Sequence, residues 1–110
     1  MRKDKTLIRG IVSLLILDIL MKGELYGYAI RKKLLEKVDE PIPSGYIYVI
    51  LKHLETKNYI KSKIKKSNNR TIRVYSITEE GRGLLFEHKD SLKKLINIAE
   101  NILSDLEKYS

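Results

Sequence analysis

"SGYIYVILKHLE", residues 44–55, decides how the rest of this chain is read. Ile47, Ile50, Leu51 and Leu54 recur at i, i+3, i+4 and i+7, the spacing of one buried helical stripe. At about 100° per residue, Tyr48 and Lys52 project to one flank, Tyr46 and His53 to the other, and Gly45, Val49 and Thr56 lie between them. A short amphipathic helix that turns tyrosines, a lysine and a histidine away from its own core has something else to meet.

Working outward, Ser44 is a plausible N-cap, and the acidic "DEPIP" before it must be a loop, since Pro41 and Pro43 each restrain the preceding residue. Upstream of the loop, one helix is expected over residues 26–38, with Ile30, Leu34 and Leu35 inward. Another is expected over 7–21, ending where Gly23 suits a C-terminal cap. Downstream, Asn58 is placed to take the left-handed conformation that ends the quoted helix. "YIKSKIK" alternates Ile60 and Ile64 against Lys61, Lys63 and Lys65, "KSNN" is turn chemistry, and "RTIRVYSI" returns. The whole reads as a β-hairpin with a basic tip.

Thr78 then caps a last helix, with Glu79 and Glu80 in its first turn complementing the dipole. Leu85, His88, Leu92, Leu95, Ala99, Ile102 and Leu106 follow at alternating steps of three and four, the a-and-d spacing of a coiled coil. A single helix of about 28 residues is expected there, roughly 40 Å long. Most of its seam has no cover within one chain, so these seven residues are assigned to dimerisation, against a partner's first helix.

Composition fits this picture. The chain has 110 residues, 43% hydrophobic and 33% charged, enough for one folded unit. The net charge of +8 is uneven: +5 over residues 1–37, −2 over 38–43, +7 over 44–77 and −2 over 78–110. A basic excess concentrated on the middle segment points to a polyanion, nucleic acid before an anionic membrane surface. There is no cysteine, which excludes disulfides and thiolate chemistry and is compatible with the cytoplasm. The apolar run "IVSLLILDILM" is expected to be a buried helix rather than a secretory signal, because Asp18 interrupts it and no small-residue cleavage site follows, and it is too short to span a bilayer.

No catalytic machinery is visible. His53 and His88 are the only histidines and belong to no metal-binding or nucleophile-activating pattern, and the glycines form no phosphate loop. No metal and no cofactor are expected. Three helices followed by a basic hairpin instead match a winged helix-turn-helix. In that arrangement Ser44, Gly45, Tyr46, Tyr48 and Lys52 face DNA, with Gly45 permitting close approach to a phosphate. Lys63, Lys65, Lys66, Asn68, Asn69, Arg70 and Arg73 form the wing. The fold class expected is mainly α with a small β-hairpin: a winged-helix domain over residues 1–77 and a dimerisation helix over 78–110. A protein-interaction module and an architectural DNA binder without sequence choice stay open as alternatives.

"YGYAI", "YVILKHLETKNYI" and "VYSITEEGRGLL", with Arg9-Gly10 opening the first helix, together resemble the PadR-like transcriptional regulators, in the small variant with one long C-terminal helix. The resemblance implies a cytoplasmic homodimeric repressor that binds an inverted repeat in double-stranded DNA, with C-terminal helices exchanged across the dimer. It further implies that Tyr48 lies at the DNA and that Tyr26 and Tyr28 lie near its backbone. Some members release DNA when a phenolic or multidrug-like compound enters a cavity at the dimer interface. Tyr46, Val49 and Asn58-Tyr59 depart from the family pattern, and the chain has no tryptophan to serve as a stacking platform for such an effector.

Overall fold

The computed structural model describes residues 6–110, with side chains described from Ile11 onward. The Arg9-Gly10 side chains lie outside the described residues. The order is α1 (Thr6–Leu20), β1 (Leu25–Tyr26), α2 (Gly27–Val38), α3 (Ser44–Thr56), β2 (Ile60–Ser67), β3 (Arg70–Ile77), α4 (Glu79–Glu87) and α5 (Lys89–Tyr109). This is the mainly helical, winged helix-turn-helix class expected. Val12, Ile16, Leu17 and Leu20 of α1 meet Ile30 and Leu34 of α2 and Ile47, Leu51 and Leu54 of α3 in one core. The stripe read in residues 44–55 is buried in full. The first helix is covered on several sides because it lies at the centre of this cluster.

The sheet has three strands in the order β1-β3-β2, not two. Leu25 pairs with Tyr75 and Tyr26 with Val74, so β3 is central and buries both Val74 and Tyr75 at its base. Two residues are too short to announce themselves as a strand by alternation, and Tyr26 belongs to β1 rather than to the helix expected over 26–38. In the hairpin, Ile60 faces Ile77, Ser62 faces Tyr75 and Ile64 faces Arg73. Asn68 (φ 51°) and Asn69 (φ 63°) make the two-residue turn, the pair of left-handed residues that a type I′ hairpin requires. Ile60 is buried but Ile64 is 58% exposed, because the hairpin tip extends beyond the core.

Asn58 takes the left-handed conformation (φ 64°) after α3, as expected. The other end of α3 differs. Ser44 is its first helical residue and Pro43 its N-cap, whose carbonyl accepts from the amides of Tyr46 (3.1 Å) and Ile47 (3.3 Å). The Ser44 hydroxyl therefore does not cap, and the amides of Ser44 and Gly45 have no intrahelical partner.

Thr78 caps α4 by accepting from the Gly81 amide at 3.0 Å and donates to the Asn58 carbonyl at 2.7 Å. The single 28-residue helix expected after it is two. His88 (φ −88°, ψ 2°) separates α4 from α5, and its Nδ1 donates to the Leu84 carbonyl at 2.8 Å, replacing the amide that an unbroken helix would supply there. Leu84 and Leu85 pack on the core, so α4 belongs to the compact body. By contrast α5 buries none of its residues.

Candidate nucleic-acid interface

The first turn of α3 is exposed at Ser44 and Gly45. A Cβ built on Gly45 meets nothing of this chain within 4 Å, so the fold does not require glycine there. Lys52 and Val49 point outward, Val49 at 65% exposure. Tyr48 is 44% exposed, and its ring leans on the start of α2: a Cβ on Gly27 would lie 3.1 Å from its ring and 3.3 Å from its hydroxyl. The absence of a side chain at Gly27 is what lets the two helices bring Tyr48 beside Tyr26 and Tyr28, which stack with ring centroids 6.2 Å apart.

Tyr46 is the exception among the residues expected at this surface. It is half-buried and packs against the core, so its ring does not turn away from its own domain. A tyrosine two positions into a helix has the reach to fold back over a neighbour, and no helical-wheel angle distinguishes the two directions.

Residues 60–77 carry Lys61, Lys63, Lys65, Lys66, Arg70 and Arg73 and no acidic residue. All six are exposed. Glu24, just before β1, approaches Lys65 at 3.5 Å and Lys63 at 3.9 Å. All three side chains are solvated, so these pairs contribute little to stability. They do place one carboxylate beside two wing lysines, which their separation in sequence concealed. Among the described residues, Lys66 and Arg70 at the tip have no ion-pair partner.

A pocket of about 340 Å³ opens where β1 ends, lined by Tyr26, Gly27, Tyr28, Tyr48, Ile72, Arg73 and Tyr75. Tyr75 is 7% exposed, and burial raises its pKa above the usual tyrosine value, with Arg73 opposing that shift and Glu55 and Tyr48 adding to it. Nothing in the sequence marks Ile72 and Tyr75 as site residues, because only the pairing of β1 with β3 brings them to the "YGY" segment.

The seam residues behave in two groups. Leu85, His88 and Leu92 are half-buried where α4 and α5 meet. Leu95 (55%), Ile102 (53%) and Leu106 (58%) are exposed, as is Ala99, and Ile96 and Leu103 (57% each) widen the stripe. An apolar groove of about 420 Å³, lined by Ile11, Leu14, Leu15, Leu85, Phe86 and Leu92 among others, runs between α1 and this junction. Among the described residues there is no metal-binding cluster, and no helix is long and apolar enough to cross a membrane.

A helix-turn-helix whose third helix stands beside a basic hairpin defines the chain as a winged-helix protein. The family model described as the transcriptional regulator PadR-like family matches residues 16–87, and the chain belongs to that family, one of transcription regulators and not of enzymes. Among solved structures it is similar to a PadR family transcription regulator from Clostridium difficile R20291, at 30% identity and TM-score 0.75, covering 84% of this chain and 98% of that one. A PadR-like transcriptional regulator from Bacillus cereus is 27% identical, with TM-score 0.80 and coverage of 90% and 97%. Bacillus subtilis PadR, solved in complex with operator DNA, is 26% identical with TM-score 0.64, covering 70% of this chain and 45% of that one. A comparison with curated proteins returned no match.

Proposed function

We propose that this protein is a cytoplasmic, dimeric, sequence-specific DNA-binding repressor. The observation that carries this is a hairpin with six exposed cations and no acidic residue, packed against α3, whose first turn is exposed. Its likeness to a PadR solved with operator DNA supports the same reading. Ser44, Gly45, Tyr48 and Lys52 meet the major groove. Tyr46 contributes by shaping the helix start from the core side. Tyr26 and Tyr28 lie along the backbone, and Lys63, Lys65, Lys66, Asn68, Asn69, Arg70 and Arg73 track phosphates.

Two copies pair through Leu85, His88, Leu92, Leu95, Ala99, Ile102 and Leu106, each laying α5 against the partner's α1 and its groove. The two α3 helices then enter successive major grooves about one helical turn apart, on an inverted repeat. The protein represses by occupying a promoter, since binding is all the site can do. A small apolar effector that released it would enter the groove beside Phe86, with no indole to stack on.

Gly45→Ala tests the reading, because it separates fold from function. The substitution has open space and a better helix former, so stability should hold or rise by up to about 1 kcal/mol, while operator affinity falls as the methyl meets the phosphate. Unchanged affinity in a fluorescence titration would remove α3's first turn from the interface.

A further inference from the structure

Arg73 is held by two side chains not yet given a role. Its Nη1 donates to Ser62 Oγ at 2.9 Å, and that hydroxyl donates to Glu55 Oε2 at 2.6 Å. The bonds cross from the last turns of α3 to β2 and on to β3. Glu55 and Ser62 are both half-buried, and Ser62 sits opposite Tyr75 in the ladder, one step diagonal to Arg73. Glu55 is the only carboxylate in the basic segment 44–77, and it does not pair with the guanidinium directly. A hydroxyl stands between them, so Arg73 keeps its charge outward and commits one of its five N–H donors.

Arg73 also lines the pocket formed with Tyr26, Tyr28, Tyr48 and Tyr75. Tyr75 is 7% exposed and lines the same pocket. The start of α2 lines the same pocket, and Tyr26 supplies no side-chain cap to its first amides. A planar guanidinium, phenolic hydroxyls and a helix N-terminus, with no carboxylate in the lining, form a receptor for an oxyanion.

We propose that Glu55 and Ser62 are positioning residues that aim Arg73 across the mouth of this pocket, where its guanidinium takes one backbone phosphate of bound DNA. This rests on the DNA-binding reading above. It makes Glu55 a favourable acidic residue within a basic surface, the opposite of what charge alone predicts.

The test is an anisotropy titration of the full chain with its selected duplex and with a random duplex, over a series of salt concentrations. Glu55→Ala and Ser62→Ala should each weaken binding roughly tenfold, the size of one charge-assisted hydrogen bond. Arg73→Ala should do the same and reduce the salt slope by about 0.9. In the Arg73→Ala background, adding Glu55→Ala should cost nothing further. Glu55→Gln, whose amide oxygen can still accept from Ser62, should retain affinity. If Glu55→Ala does not fold, as its melting curve will show, Ser62→Ala carries the same comparison. Tighter binding by Glu55→Ala and Glu55→Gln alike would make Glu55 a mere repulsive charge, and an equal loss with or without Arg73 would make it structural; either overturns the proposal while wild type still binds. Wild type binding neither duplex would overturn the DNA reading itself.

Discussion

Gly81 illustrates how a single residue sets the join between wing and body. A Cβ placed there would overlap the Tyr59 backbone carbonyl and lie 2.9 Å from Ile77 Cγ1. The same carbonyl accepts from the Thr78 amide at 3.1 Å, so it cannot retreat without breaking the turn that starts α4. Gly81→Ala is therefore expected to destabilise by about 2–4 kcal/mol, read as a lowered melting temperature; a change within 0.5 kcal/mol would refute the close approach. Residue-scale reading of the sequence succeeded where backbone chemistry is restrictive, as at Asn58, Asn68 and Asn69, all left-handed. It failed at Ser44, which is the first helical residue with Pro43 in the cap position, and at Tyr46, whose reach lets it fold back on the core.

Among the elements, the hairpin carries the clearest expectation. Lys66 and Arg70 flank a rigid two-residue turn and have no ion-pair partner among the described residues, so each removed should lower the slope of log affinity against log salt by about 0.9 and weaken all sequences alike. Slopes unchanged in Lys66→Ala and Arg70→Ala would show that the wing does not touch phosphate. Helix and hairpin positions were legible because their periodicities span many residues. β1 was not, since its pairing with β3 links residues fifty apart and two residues hold no pattern. Nor was the break at His88, because the three-four spacing continues through it while a side-chain hydrogen bond to Leu84 interrupts the backbone. The Glu55–Ser62–Arg73 chain and the Glu24 pairs were likewise invisible until the sheet register placed them together.

At the scale of the whole molecule, α5 is a 21-residue helix with an apolar stripe and no buried residue, in a structure that measures 58 × 32 × 21 Å with that helix included. Large exposed apolar faces of this kind mark association. On the proposed pairing through α5, Ile102→Glu should give a monomer in light scattering and lower operator affinity at least tenfold, since each half-site is then held alone. A variant that stayed dimeric would place the interface elsewhere. Sequence-specific binding by two chains is tested by selection of bound DNA from a random pool at physiological salt, with the mass of the selected complex determined on the same sample. An inverted repeat with half-site centres about one turn apart, bound by two chains, is expected. Bound DNA without a shared pattern, or no bound DNA, would contradict it.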